Sequence, residues 1–305
     1  QKCVSEKVCG RDFEAVRRRE GMAADITAII LTRNEEINIK GCIDSIKHIV
    51  KRIVVVDSFS EDDTIEIAKS LGAEVLQHKF ETHAKQYKFA VNVADIKTKW
   101  ILRIDADERL TKESANELEL LCNSHENTNV TGIVVRFKKN FLGRDLYHGG
   151  VYPWKKLICY KRGKGDIEDR AMDEHIVVFE GKTIELKNDS LHFDFKSLEA
   201  WTAKHNWYSS KEAADYNREI TEKGIQEQKN IKTWFKMHVY YRLPIGTRAH
   251  IYYIYRYYIK LGFLDGKEGK IYAFLQAYWY RYLVDAKIYE TKKTGMRYSD
   301  KGHLN

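Results

Sequence analysis

The 305-residue sequence predicts an α/β protein, in which a parallel sheet is covered by helices and a helical region follows at the C-terminus. In the first 110 residues, short continuous apolar runs alternate with segments of helical periodicity. This alternation is typical of parallel strands that are buried on both faces. From Leu198 onward the apolar residues recur at helical spacing. A hydrophobic content of 43% and a charged content of 31% indicate a globular chain.

The individual elements follow from these runs in order. Six apolar runs predict strands: Ile26–Leu31, Ile53–Val56, Glu74–Leu76, Trp100–Ile104, Ile133–Phe137 and a segment entered at Ile176. Between the first two, apolar residues at helical spacing over 39–49 predict a helix. Ser60–Asp63 resembles a capping box and predicts a second helix that stops at Gly72.

Polar residues follow the predicted strands at their carboxyl ends, where parallel sheets bind ligands. The segment Asp105-Ala106-Asp107 contains the only D-x-D of the chain and closes a buried strand. Divalent cations such as Mg²⁺ or Mn²⁺ bind carboxylate oxygens and usually share their site with substrate phosphates. The segment therefore predicts a metal and nucleotide site, with a surface turn as the alternative. Asp57 fits a contact to a base or ribose, or alternatively a turn or helix cap.

Four segments carry a family resemblance, in the order "TAIILTRNEEINI", "VVVDSFSEDDT", "HAKQYKFAV" and "ILRIDADERL". They resemble the donor half of the inverting, GT-A-fold glycosyltransferases of family two, and the lipopolysaccharide-core glucosyltransferase subgroup in particular. The likeness continues in "GRDLYHGGVYP", "DEHI", "LHF" and "GFLDGKEG", over about residues 25–290. It implies a GT-A, Rossmann-like mixed sheet flanked by helices. It also implies sugar transfer from a UDP-sugar to a lipid-linked glycan or lipopolysaccharide-type acceptor, with Mn²⁺ or Mg²⁺.

The resemblance implies roles for individual residues. Donor-binding roles fall on Thr32, Arg33, Asn34, Glu35, Asp57, Gln86, Lys88, Asp105 and Ala106, and a metal contact falls on Asp107. His192 would be a metal or diphosphate contact, with a structural histidine as the alternative. The residues expected to border the acceptor opening are Arg144, His148 and Trp154. Two positions depart from the subgroup: it often has Asn at Lys88, and it often reads His-Glu at the acidic motif Asp173-Glu174-His175.

The acidic motif predicts the catalytic base. An inverting transfer needs one carboxylate to take the proton of the attacking hydroxyl, and it needs no carboxylate nucleophile. Neighbouring side chains of an extended segment point to opposite sides, so only one of the pair faces the sugar. Asp173 is the favoured base and Glu174 the second choice, while an acidic loop without catalytic function is the alternative.

The C-terminal region carries the positive charge of the chain. Residues 232–305 hold 14 Lys and Arg against 5 Asp and Glu, whereas the net charge of the whole chain is +8. They also hold 13 of the 19 tyrosines. Such a basic and aromatic region predicts an anionic partner, either a membrane surface or a nucleic acid, with ordinary packing on the catalytic domain as the alternative. No uncharged run reaches the roughly 20 residues of a spanning helix.

These observations predict three regions and a location. The regions are an N-terminal extension (1–24), a catalytic domain (25–197, with donor half 25–110 and acceptor half 111–197) and a helical membrane-associating region (198–305). Five scattered cysteines without zinc spacing favour reduced thiols. We expect a cytoplasmic enzyme, peripheral on the inner face of the cell membrane.

Two other functions stay open from the sequence. A sugar nucleotidyltransferase would also use an acidic metal site, but it usually carries a glycine-rich, basic phosphate loop that "ILTRNEE" lacks. A nucleic-acid-binding protein would fit the basic C-terminal region, yet no known DNA- or RNA-binding motif occurs, and an acidic cleft without metal would repel phosphate.

Overall fold

The computed structural model describes residues 23–168, 174–222, 243–296 and 298, which form two compact units. The first unit contains the described residues up to Lys138 together with those of Pro153–Asp194. The second contains Lys139–Tyr152 and the described residues from Phe195 onward. The predicted N-terminal extension falls almost entirely outside the described residues.

The strands of the chain are β1 (Ala24–Thr32), β2 (Val50–Asp57), β3 (Glu74–Gln77), β4 (Trp100–Asp105), β5 (Glu108–Arg109), β6 (Val130–Phe141), β7 (Arg144–Leu146), β8 (Trp154–Lys161), β9 (Gly165–Ile167), β10 (Ile176–Val178) and β11 (Lys182–His192). The helices of the first unit are α1 (Glu36–Ile46), α2 (Thr64–Ser70), α3 (His83–Val93) and α4 (Lys112–Ser124).

The main sheet of the first unit has the strand order β3-β2-β1-β4-β8-β6-β11-β5. Strands β1 to β4 are mutually parallel, as the alternating pattern predicts. Strand β8 is antiparallel to both β4 and β6, and β11 is antiparallel to β5. Strands β9 and β10 form a separate two-stranded sheet. The mixed main sheet with its flanking helices is the predicted GT-A-like fold.

Both faces of the parallel half are covered. On one face Ile26, Ala28 and Ile30 of β1 lie in a core cluster with apolar residues of α1 and α4. On the other face Ile29 and Leu31 lie in a cluster with residues of α3. Successive side chains of a strand point to opposite faces, so the continuous apolar run of β1 fills both cores.

The second helix begins differently from the capping-box prediction. Asp62, not Ser60, receives the backbone N–H of Thr64, at 3.1 Å. The helix ends at Ser70, and Gly72 follows with a positive φ of 82°, a conformation that glycine adopts without steric cost. The hydroxyl of Ser60 bonds instead to residues of the neighbouring loops, which positions it in the candidate site.

The second unit is mainly helical, as predicted. Its elements are α5 (Leu198–Glu222), α6 (Thr247–Ile254) with a π-helical continuation (Tyr255–Ile259), a 3₁₀ turn (Gly262–Asp265), α7 (Gly266–Ala273) with a π-helical continuation (Phe274–Trp279), and α8 (Tyr280–Thr294). No helix in the described part of the chain is long and apolar enough to cross a membrane.

The segment 139–152 belongs to this second unit, although the sequence prediction assigned it to the catalytic domain. The reason is its packing: Phe141 and Leu146 form one buried cluster with Trp201 of α5 and Tyr272 of α7. The carboxylate of Asp265 adds polar contacts, since it accepts the backbone N–H of His148 at 2.8 Å. Arg144 and His148 therefore lie in the second unit.

Candidate active site

Three adjacent strands place the predicted donor-binding residues at one edge of the sheet. In the register of β1 and β2, Thr32 lies opposite Asp57, and in the register of β1 and β4, Leu31 lies opposite Asp105. The three side chains Thr32, Asp57 and Asp105 thus share the carboxyl edge of the parallel half. This is where open α/β sheets bind their ligands.

The loops after β1 and β2 are tied to each other. The backbone N–H of Asn34 donates to the Ser60 hydroxyl at 2.8 Å, and Asn34 Oδ1 accepts the N–H of Glu61 at 2.9 Å. Asn34 has a positive φ of 52°, which an Asn adopts more readily than most residues. The N–H of Glu35 donates to the Thr64 hydroxyl at 2.8 Å. These bonds fix a rim on which Arg33 and Asn34 are exposed.

Asp57 is fully buried at the base of this rim. Its carboxylate accepts the backbone N–H of Ser60 at 2.8 Å and the Ser60 hydroxyl at 2.5 Å. These are the contacts of a turn-stabilising aspartate, the alternative left open by the sequence. A contact of Asp57 with a base or ribose stays a prediction.

Thr32 has a buried hydroxyl without a hydrogen-bond partner in the described part of the chain. Buried polar groups nearly always have a partner, so such an atom needs an explanation. It lies on the strand between those of Asp57 and Asp105, and a contact of Thr32 with a bound donor stays a prediction.

The carboxylates at the end of β4 and in β5 share a lysine that no sequence motif marks. The ammonium group of Lys156, on β8, donates to Asp105 Oδ2 at 2.5 Å and to Glu108 Oε1 at 2.7 Å. Arg103 adds a weaker ion pair, with its Nη2 3.5 Å from Asp105 Oδ1. Part of the positive charge that this acidic segment needs is therefore supplied by the protein itself.

Burial and charge act in opposite directions on this group. Burial favours the neutral form of Asp105, but Lys156 and Arg103 outweigh it and hold the pKa of Asp105 below its usual value. Burial lowers the pKa of Lys156, but Asp105 and Glu108 outweigh it and raise that pKa. Burial raises the pKa of Glu108, and Lys156 offsets part of this effect. Lys156 and Asp105 thus form an ionised pair at neutral pH.

Asp107 and His192, the two predicted metal contacts, lie next to each other. Antiparallel pairing of β5 with β11 puts His192 opposite Glu108. His192 Nε2 is 3.6 Å from Asp107 Oδ2, and its Nδ1 is 3.9 Å from Asp194 Oδ1. Among the described residues, no three His, Cys, Asp or Glu side chains gather closely enough to hold a metal by themselves. One carboxylate and one imidazole fit a cation whose other ligands come from a substrate.

Gln86 and Lys88, on α3, differ in exposure. Gln86 is buried and its amide donates to the Ser58 hydroxyl at 2.6 Å and to the His78 carbonyl at 3.0 Å. Lys88 is partly exposed, with Nζ 4.0 Å from Asp166 Oδ2. Gln86 thus supports the loop after β2, and a direct donor contact of either residue stays a prediction.

Of the two candidate bases, only Glu174 lies in the part of the chain that the structure describes. Asp173 lies outside the described residues. Glu174 is buried, and its backbone carbonyl accepts Arg103 Nη1 at 3.2 Å. Because Arg103 also contacts Asp105, the acidic motif is connected to the end of β4. Which carboxylate acts as the base stays a prediction.

The three predicted acceptor residues do not fall in one unit. Trp154 lies in the first unit, with its ring 4.7 Å from that of His192 and 5.7 Å from that of Phe137. In the second unit, His148 Nδ1 is 2.7 Å from Asp265 Oδ1, and Arg144 Nη1 is 3.6 Å from Glu268 Oε2. Trp154 therefore packs beside the predicted metal pair, and Arg144 and His148 connect the motifs "GRDLYHGG" and "GFLDGKEG".

Sequence reasoning misses three polar side chains of this site: Arg103, Glu108 and Lys156. Glu108 and Arg103 stand inside the quoted segment "ILRIDADERL", so their position beside the D-x-D was available as a signal. Lys156 stands 51 residues from Asp105 in the chain. No local pattern around "WKKL" marks it.

Comparisons with known proteins define the class. The family model described as glycosyl transferase family 2 matches residues 27–180, and the chain belongs to this family. An uncharacterized glycosyltransferase of Rickettsia felis is 32% identical over 200 residues, which cover 62% of this chain and 69% of the relative. The lipopolysaccharide core biosynthesis glycosyltransferase LpsC of Rhizobium meliloti is 28% identical over 279 residues, which cover 87% of this chain and 92% of LpsC. The chain is a glycosyltransferase, as predicted.

Solved structures align over a smaller part. Mannosyl-3-phosphoglycerate synthase from Rubrobacter xylanophilus aligns with a TM-score of 0.33 and 24% identity, over 42% of this chain and 43% of that one. Glucosyl-3-phosphoglycerate synthase from Mycobacterium tuberculosis, in complex with Mn²⁺ and UDP-glucose, aligns with a TM-score of 0.31 and 20% identity, over 42% and 48%.

Proposed function

We propose that this glycosyltransferase transfers a sugar from a UDP-sugar, with inversion, to a lipid-linked glycan or lipopolysaccharide-type acceptor. One observation carries the donor part of the proposal. Thr32, Asp57 and Asp105 stand at the ends of three adjacent strands, and the buried Thr32 hydroxyl has no partner in the described part of the chain. The name of the relative LpsC, which refers to lipopolysaccharide core biosynthesis, supports the acceptor class.

The nucleotide would lie along the edge of the parallel half. Its base and ribose would meet the rim of Thr32, Arg33, Asn34 and Glu35, with Asp105 facing the ribose. Asp57 would act from below, since its carboxylate already holds Ser60 and thereby the shape of the rim. Lys88 is exposed enough to meet the diphosphate or the sugar.

Asp107 and His192 would hold Mn²⁺ or Mg²⁺ together with the donor diphosphate. Their donor atoms lie 3.6 Å apart, and Mg²⁺ is typically bound by one or two protein carboxylates plus substrate phosphates. When bound, the cation would offset the negative charge of the leaving nucleotide. The protein's own contribution is to hold this carboxylate and imidazole side by side through the pairing of β5 with β11.

The acceptor hydroxyl would lose its proton to Asp173, or to Glu174 as the second choice. The hydroxyl oxygen forms a bond to the anomeric carbon while the bond to the nucleotide oxygen breaks, so the configuration inverts in one displacement. Glu174 is buried, and its backbone carbonyl accepts a hydrogen bond from Arg103 of β4. This contact supports a position of Glu174 close to the donor. Membership in the transferase family favours this reaction over nucleotidyl transfer.

The second unit would bind the membrane surface that carries the acceptor. Its helices expose apolar and aromatic side chains at helical spacing, which we call the apolar surface: Ile251, Ile254, Tyr255, Tyr258, Ile259, Ile271 and Phe274. Ile259 is 66% exposed and Tyr258 is 57% exposed. Lys260, Lys267 and Lys270 are also exposed in these segments. Apolar side chains flanked by lysines fit an anionic bilayer, since the apolar groups enter the interface and the lysines meet the headgroups.

Replacing Thr32 by Val tests the donor proposal with little risk to the fold. Val has nearly the same shape, and the lost hydroxyl has no protein partner among the described residues. We expect stability to be kept and UDP affinity, measured by calorimetry with Mn²⁺, to fall by about fivefold, the effect of roughly 1 kcal/mol for one hydrogen bond.

Thr27→Val is the matched control for this experiment. Thr27 is a fully buried residue of the same strand, and its hydroxyl accepts a bond from Thr98 at 2.7 Å. This variant should lose stability and keep UDP affinity. If Thr32→Val binds UDP as tightly as the wild type does, the proposed contact between Thr32 and the donor is wrong. If the wild type neither binds UDP nor turns over any UDP-sugar, the proposed function is wrong.

A further inference from the structure

Lys156 is a buried lysine with two carboxylate partners and no assigned role. Only 8% of the residue is exposed, and its ammonium group bonds to Asp105 and Glu108 at 2.5 and 2.7 Å. A buried ammonium group is costly unless it is paired and hydrogen-bonded. The neighbouring Lys155 has the opposite environment, since it is exposed and pairs with Glu185 at the surface.

Glu108 extends the contact of Lys156 to the backbone of the site. One oxygen of Glu108 accepts Lys156, and the other accepts the backbone N–H of Asp105 at 2.9 Å. The side chain of Asp105 is therefore held by Lys156, and its backbone is held by Glu108. Glu108 is completely buried, whereas the Asp105 side chain keeps 30% exposure toward the edge of the sheet.

This arrangement separates two functions of the acidic segment. Asp105, Asp107 and Glu108 would repel one another if no positive charge stood between them. Lys156 balances Asp105 and Glu108, whereas Asp107 lies on the side of His192. The ammonium group of Lys156 thus acts on Asp105, the carboxylate predicted to meet the ribose. Asp107, the predicted metal contact, does not take part in this ion pair.

We propose that Lys156 is a positioning residue, which fixes the carboxylate of Asp105 for donor binding. The inference rests on the proposed UDP-sugar specificity. Lys156 touches no reacting atom and acts through Asp105. A contact that is equally strong in the bound substrate and in the transition state changes KM and leaves kcat unchanged. Loss of Lys156 should therefore appear mainly in the KM for the donor.

The experiment compares Lys156→Met with Lys156→Arg in UDP-sugar turnover with Mn²⁺. For Lys156→Met we expect the donor KM to rise about tenfold, the size of one charge-assisted hydrogen bond, with kcat within about threefold of the wild type. Lys156→Arg keeps the positive charge, so its donor KM should lie within about threefold of the wild-type value. Lys155→Met, on the same strand, is the control and should leave both constants unchanged.

A second variant keeps the test valid if Lys156→Met does not fold. Combining Lys156→Met with Glu108→Gln removes one buried charge of each sign, and the amide oxygen of the new side chain can still accept the backbone N–H of Asp105. The raised donor KM should persist in this variant. The inference would be overturned if Lys156→Met or the double variant has the donor KM of the wild type, or if Lys156→Arg has a donor KM as high as that of Lys156→Met. The proposed function would still stand in that case, because the wild type turns over the UDP-sugar. Absence of wild-type turnover with every UDP-sugar would overturn both.

Discussion

The proposed membrane surface leads to a quantitative prediction about three exposed lysines. The perturbation is the triple replacement of Lys260, Lys267 and Lys270 by Gln, which removes positive charge beside the apolar surface. Arg256 and Arg281 are left in place because each has a structural partner. Arg256 bonds to the Tyr252 hydroxyl at 3.0 Å, and Arg281 pairs with Glu212.

The expected size follows from the number of charges. A basic residue near an anionic bilayer contributes on the order of 1 kcal/mol, so three lysines contribute about 3 kcal/mol. This corresponds to roughly a hundredfold weaker partition at low salt. Surface charges more than about 8 Å apart are screened at physiological ionic strength, so the difference between the wild type and the variant should shrink as salt is added.

The assay is co-sedimentation of the full chain with phosphatidylglycerol-rich vesicles at low salt. The control variant replaces Lys47, Lys51 and Lys97, three exposed lysines of the first unit, by Gln. It has the same net charge as the test variant and should bind vesicles nearly as the wild type does. Slow hydrolysis of the UDP-sugar in solution needs no membrane and should be equal in all three proteins.

Two results would refute this reasoning. Equal partition of the wild type and the test variant at low salt would show that these lysines do not face the bilayer. Equal losses in the test and control variants would show that net charge alone, without a defined surface, determines the partition. In that case the apolar surface would belong to another contact, and the proposed attachment of the second unit to lipid would be wrong.

The remaining predictions concern the metal and the base. Asp107→Ala should abolish most turnover and weaken UDP-sugar binding in the presence of Mn²⁺, because the cation loses its carboxylate, and a chelator should imitate the variant in the wild type. Full activity of the wild type in excess chelator would exclude the metal role. Asp173→Asn should keep donor binding but slow transfer by about 10²–10⁴-fold, because the amide cannot take the proton. Normal transfer by Asp173→Asn together with a loss in Glu174→Gln would assign the base to Glu174.

The sequence by itself determined the parallel half of the fold and the edge at which the candidate site lies. Strands β1 to β4 and the helices α1 and α2 follow from local patterns, whereas α3 and α4 were not predicted. Consecutive β-α-β units place the carboxyl ends of their strands on one edge. Thr32, Asp57 and Asp105 could therefore be assigned to that edge from chain order alone. The sequence also predicted the C-terminal helices, because helical spacing is a local property.

Only the tertiary structure decided which charges meet. The pairing of β8 with β4 brings Lys156 to Asp105 across 51 residues of chain, and no local pattern encodes that pairing. The pairing of β5 with β11 likewise brings His192 beside Asp107. The acidic segment predicted a bound metal cation, but long-range strand pairing also brings a lysine side chain to its carboxylates. Which strands pair depends on contacts between residues far apart in the chain, whereas periodicity is a local signal, and this is why sequence periodicity could not reveal these contacts.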